Sequence, residues 1–338
     1  KIEYEANITN MKLEYCVDNF IFQLGKFNSS WGPGINKIIL SEKIPSILQY
    51  GYSWHINKKF LFHYFHGKLN SGLYYKDVYF STVTDSIEIY DSKLIREKYI
   101  VGHRIEFNPS YNVNIGFNEL VVYGDRNEML YHLPFIFFYP AQIYLNDTDN
   151  VVWGIDIHWK IKNNINYYVT FLIDDFDYLN IFEKDNNNKI GYQTGIHLKN
   201  IFTSNDQIFL EYVWTDHRLY SHKYDINYFY NGGKFNYPIG FWGGPHAEHF
   251  FLSYGFNKWN YKWMFSIFNS KRGQVTEEMI EQYSYFEYDR YDGSIEKLKV
   301  IEIKLEKIIF NKIIVELSIQ DISWINPNFD PYDEQIDK

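Results

Sequence analysis

Asp174-Asp175, with Asp177 close behind, are the first residues in this chain that could do chemistry. A pair of acids flanking one bond is the apparatus of glycoside hydrolysis. Neighbours in a strand point to opposite faces, so these two cannot flank one substrate unless the strand has ended. They open a long loop, where they read as a calcium- or glycan-contacting edge or as solvated acids. Gly243-Gly244-Pro245-His246-Ala247-Glu248-His249 holds two histidines and a glutamate, but His246 and His249 are three apart. That is not the helical His-Glu-x-x-His spacing that aims two imidazoles at one zinc. No lysine and helix follow the Gly-Gly pair, which excludes a phosphate loop. No nucleophile elbow or Ser/His/Asp set is visible. The chain is therefore expected to be no enzyme, and to need no metal or cofactor. Trp31-Gly32-Pro33-Gly34 dictates a tight, rigid turn. Trp31 there either offers a flat face to a sugar ring or plugs and anchors the turn.

The elements that must position these residues are strands. Val151, Trp153, Ile155, Ile157, Trp159 and Ile161 share one parity, and Gly154, Asp156, His158 and Lys160 share the other. Successive strand residues face opposite ways, so the segment has one greasy and one wet face. The pattern recurs from Leu48–Ile56 to Ile301–Glu306. A parity slip and bulge are expected near Thr194. Short polar turns, Asn57-Lys58, Pro109-Ser110, Asn163-Asn164 and Trp259-Asn260, join strands in pairs. Longer stretches separate the pairs: Ser71–Glu97, Gly124–Asn150, Asp175–Asn188, Arg218–Pro245 and Gly273–Ser294. Short turns on one side and long loops on the other is the outer-membrane arrangement.

Composition agrees. Tyr and Phe number 32 and 28 of 338 residues, yet mean hydropathy is only -0.38. A barrel reconciles the two, because only every second strand residue meets lipid. The nearest candidate for a spanning helix, Met129–Leu145, lacks Asp, Glu, Lys and Arg but is short and interrupted by Pro134 and Pro140. The net charge of -9 disfavours nucleic acid as a partner. The single Cys16 excludes an internal disulfide and is expected to be a small buried side chain. No signal peptide is visible, since Lys1 opens directly into strand-like sequence.

The reading is an all-β chain, a transmembrane antiparallel up-and-down β-barrel of about 14–18 strands with long extracellular loops, in the bacterial outer membrane. Residues 1–326 form one barrel and 327–338 a C-terminal tail. Residues 1–9 and 35–41 are candidates for extra strands. The polar parity points inward, placing Gln49, Ser53, His55, Arg104, Glu106, Asp156, His158, Lys160, Asp174, Glu211 and Thr215 in the lumen. There they either pair with one another or contact a ligand. Tyr220, His222, Tyr228, Tyr230 and Trp242 suit carbohydrate or an interfacial girdle.

Several motifs resemble the Wzi-like capsule assembly family of outer-membrane proteins. They include Leu24-Gly25-Lys26, Ser30-Trp31-Gly32-Pro33-Gly34, Ile39-Leu40-Ser41, His103-Arg104-Ile105-Glu106-Phe107, Gly116–Gly124 and Leu172-Ile173-Asp174-Asp175-Phe176. Glu211-Tyr212, Tyr220-Ser221-His222, Pro238-Ile239-Gly240 and Gly244-Pro245 continue the series to about residue 260. The resemblance implies a lectin-like anchor for capsular or other surface polysaccharide. Its partners would be that polysaccharide, outer-membrane lipid and other capsule export or assembly components. Polysaccharide contacts would come from Trp31, Arg104, Glu106, Asp156, His158, Asp174, Asp175, Glu211, Tyr220, His222 and Trp242, with Gly32, Pro33, Gly34, Gly244 and Pro245 setting turns. The chain departs from the family pattern at Lys26, usually Arg, in lacking the family's N-terminal segment, and in ending on Asp330–Lys338 with Trp324 as a displaced closing aromatic. The alternatives are a passive porin or uptake channel and an outer-membrane enzyme acting on glycan or lipid.

Overall fold

The computed structural model describes residues 10–80, 92–175, 189–232, 236–276, 279, 290–291, 293–309, 313–329 and 336–337. Fourteen long strands run in sequence: β1 (Met11–Val17), β2 (Phe20–Phe27), β3 (Ile47–His55), β4 (Phe60–Leu69), β5 (Lys98–Ser110), β6 (Val113–Gly124) and β7 (Asn150–Lys162), then β8 (Ile165–Asp175), β9 (Lys189–Lys199), β10 (Gln207–Thr215), β11 (Ala247–Lys258), β12 (Tyr261–Gly273), β13 (Ile295–Ile309) and β14 (Ile313–Ile325). Each pairs antiparallel with the next, so the sheet is an up-and-down barrel wall with no crossover. Among the described residues, β1 and β14 share no ladder. Ile336–Asp337 adds a short strand against Ser323 and Trp324.

Connections alternate strictly between short turns and long segments, and residues 28–46 form a further long segment on the same rim as the others. At Trp259-Asn260 both residues have positive φ, 56° and 61°, as a twisted two-residue hairpin requires. The turn expected at Pro109-Ser110 instead falls at Tyr111-Asn112, after a register shift between Phe107 and Ser110. The bulge expected near Thr194 is absent, because Ile190, Tyr192, Thr194, Ile196 and Leu198 keep one parity and their register with β8 is unbroken. The irregularity lies between Ile173 and Asp175 instead. The strand expected over 35–41 is reduced to one bridge, Trp31 to Leu40. Residues 1–9 and most of the tail lie outside the described residues, as do Asp177 and the Asp175 side chain.

The outward parity is greasy and uncovered: Leu48, Phe117 and Phe171 are 59%, 49% and 49% exposed. No described helix is long and apolar enough to cross a membrane, and the strands do the spanning. The charge-free run Met129–Leu145 forms a 3-10 turn, Met129–His132, and a short helix, Phe138–Tyr144. Both dock on the outside of the wall, where Tyr131, Phe138 and Ala141 bury against Phe62, Tyr64, Val101 and Val121. Cys16, expected to be buried, is exposed: it lies on the inward parity of β1, where none of the described residues packs over it.

Candidate functional site: the lumen and its inserted segments

The inward glycines of the wall make room for a plug. A Cβ on Gly102 would meet the Trp31 ring at 2.8 Å, and one on Gly154 would meet Ile39 at 2.8 Å. Into these seats fold residues 28–46, turned at Gly32 and Gly34, whose φ values of 94° and 86° few other residues adopt. Trp31 packs its ring edge-on against Phe65 at 5.2 Å, and its backbone N–H donates to the Leu40 carbonyl at 3.0 Å. Ile38, Ile39 and Leu40 are fully buried with Leu120, Val122 and Val152 of β6 and β7. Burying such side chains contributes about 2 kcal/mol each.

Residues 216–232 and 236–246 fold in beside them. The Tyr220 hydroxyl donates to the Ile38 carbonyl at 2.7 Å and accepts the Phe241 N–H at 3.0 Å. Asp174 accepts the Tyr220 N–H at 2.7 Å. The Trp242 indole N–H reaches Asn36 Oδ1 at 2.8 Å. Gly244, with φ 71°, offers its carbonyl to the Thr215 hydroxyl at 2.9 Å. Burial pushes the His222 imidazole down to about 3, helped by Lys189 and Lys223, and pushes His246 down to about 4, helped by Arg290.

Glu211 is the latch between wall and plug. Its buried carboxylate accepts the Ile35 and Asn36 N–H groups at 2.9 Å each and the Asn36 amide at 2.7 Å. It also accepts Gln193 Nε2 at 2.9 Å and the Tyr168 hydroxyl. Below it, towards the short turns, the Arg104 guanidinium grips Asp156 at 2.5 and 3.0 Å, Glu106 at 2.9 Å and Asn118 at 2.8 Å. The buried charges here are each paired or hydrogen-bonded, which a low-dielectric interior demands.

Inward residues become wetter along each strand: Asp156 and Glu211 are buried, His158 and Gln207 exposed. The plug therefore fills the long-loop half of the lumen along β3–β11 and leaves the short-turn half open to water. On β13 and β14 the inward face is polar and reached by water from Glu302 to Glu306 and from Glu316 to Gln320, with Leu298, Val300, Ile322 and Trp324 nearer the long connections, and on β1 it carries Lys12, Glu14 and Cys16. Glu302 accepts Ser318 at 2.6 Å and Gln320 at 3.0 Å, Lys304 pairs with Glu316 at 3.0 Å, and Lys12 with Glu14 at 2.7 Å.

Of the set expected in the lumen, Gln49, Arg104, Asp156, Asp174, Glu211 and Thr215 are buried on the wall face that carries the inserted segments. This does not leave a glycan platform. Trp31, Asp174, Glu211 and Tyr220 are at most 9% exposed and bind their own chain, and His222 is 7% exposed. His103 and Glu119 lie in motifs quoted from the sequence, but their pairing with each other was not read there. They sit on the outward parity and pair at 2.9 Å. A charge interrupting the greasy run Ile115, Phe117, Val121, Tyr123 was the available signal.

No family model and no curated protein matches the chain. It is similar to the solved structures of Pseudomonas aeruginosa OpdQ (8% identity, TM-score 0.46, 93% of this chain and 75% of that one) and OprD (10%, 0.45, 96% and 76%). Acinetobacter baumannii OccAB4 is similar too (10%, 0.43, 93% and 68%). These are OprD/Occ outer-membrane porins, so the resemblance to the Wzi-like capsule assembly family is corrected. The anchoring function, the capsular or surface polysaccharide and the capsule-assembly partners fall with it, the would-be sugar contacts being spent on the plug.

Proposed function

We propose that the chain is a passive outer-membrane channel for small polar solutes, narrowed by its own inserted segments and performing no catalysis. One observation carries the reading. The inward faces of β13, β14 and β1, from Glu302 to Glu306, Glu316 to Gln320 and Lys12 to Glu14, are hydrogen-bonded, mixed in charge and open to water, beside a plug fixed to the other strands. A wet polar strip inside a barrel is the wall of an aqueous path, since outward residues there meet lipid.

The test is conductance of the purified, detergent-folded protein in planar bilayers, with swelling of liposomes in small sugars and amino acids. Discrete conductance steps and solute-dependent swelling are expected. A folded protein that gives neither would sink the reading.

A further inference from the structure

The outer face of the wall carries a groove of about 570 Å³, within the usual range for ligand sites. Its floor is Ile105, Phe117, Ile155 and Phe171 of β5–β8, and the docked segment forms its other side with Phe137 and Tyr139. We propose that this groove holds one acyl chain of a membrane phospholipid as an ordered, slowly exchanging ligand. The proposal rests on the membrane position of the wall and not on the channel reading, so the two fail independently.

Three observations choose the occupant. The groove opens on the lipid-facing parity, continuous with exposed Phe117 and Phe171, so water is not its alternative filling. An unfilled groove would leave its lining without contacts on one side. Tyr139 and Trp153, with ring centres 5.1 Å apart, stand at its edge. Tyr139 combines an apolar ring with a hydroxyl, as residues beside lipid esters do, while the Trp153 indole N–H is held by Glu119. The docked segment is held still, because Glu119 accepts the Phe138 and Tyr139 N–H groups at 2.8 and 2.9 Å and the Trp153 indole N–H at 2.9 Å. A rigid wall separates a site from ordinary boundary contact.

The experiment is native mass spectrometry of the whole chain after exchange from micelles doped with palmitoyl-oleoyl phosphatidylethanolamine into lipid-free detergent. The wild type is expected to retain one phospholipid per chain. Ile155→Trp, which fills the groove, is expected to retain roughly tenfold less while keeping the heat-dependent gel shift. Should that variant not fold, Phe171→Trp takes its place. Wild-type protein emerging without phospholipid, or equal retention by a folded groove-filling variant, would overturn the proposal.

Discussion

The carboxylate of Glu119 accepts the backbone N–H of Phe138 at 2.8 Å, on the lipid side of the barrel wall. A charge there would normally be a fault. Here it satisfies backbone donors that hydrocarbon cannot, and His103 Nε2 lies 2.9 Å from the same oxygen, Oε2. The bond explains how the charge-free run 129–145 lies along the barrel instead of crossing the membrane.

Removing that carboxylate is therefore costly. Glu119→Ala strands two backbone N–H groups, the Trp153 indole and His103, and is expected to lose about 3–5 kcal/mol. Glu119→Gln, which keeps one acceptor, is expected to lose less. Urea unfolding in detergent, with limited proteolysis of residues 129–145, separates the two. A Glu119→Ala protein as stable as wild type contradicts this assignment.

The plug depends in the same way on Glu211. Glu211→Ala leaves the Ile35 and Asn36 N–H groups without their acceptor and is expected to free residues 28–46 from the wall. Single-channel records are expected to show larger or noisier openings, while the strand signal in circular dichroism is unchanged. Identical records from mutant and wild type would remove the latch from the account.

Acid is expected to loosen the second inserted segment. His222 and His246 are buried as neutral rings with lowered values of about 3 and about 4. Below an ordinary histidine value of about 6.5 the released segment binds the proton and the docked one resists it. Stability is thus full above that pH and falls as pH drops towards 4 and 3, by about 2 kcal/mol per group at pH 5. Openings recorded from pH 7.5 to 4.5 are expected to grow on acidification. His222→Phe is expected to flatten part of that slope.

The Arg104–Asp156 pair is a wall brace. Asp156→Ala leaves a buried guanidinium short of its bidentate partner, and a loss of about 3–5 kcal/mol is expected. The paired replacement Arg104→Met with Asp156→Leu is expected to recover much of it. Equal unfolding midpoints for the single variant and wild type would show that Glu106 and Asn118 alone suffice.

Much of the wall was legible in the sequence, for a physical reason. Strand parity is local, so Val151 to Ile161 announces its own two faces, and Arg104, Asp156 and Glu211 fall inward as that parity requires. The plug was not legible. Glu211 and Asn36 meet across 175 residues, and no local pattern encodes such a contact. Ile38, Ile39, Phe229 and Phe241 in long connections read equally well as interfacial aromatics and aliphatics. Cys16 misled because an inward strand position is buried only where the plug covers it.

That exposed thiol gives the most direct test of the central claim, that a water-filled path runs along the inward face of the end strands. Cys16 is the chain's one cysteine, it faces inward beside Glu14, and Cys16→Ser supplies the control. Conductance in planar bilayers is recorded before and after adding a charged methanethiosulfonate reagent. The account predicts a stable drop in single-channel current for the wild type, of opposite ion selectivity for cationic and anionic reagents, and none for Cys16→Ser. A wild-type thiol that is fully modified with current unchanged, or a folded protein that conducts nothing, would contradict it.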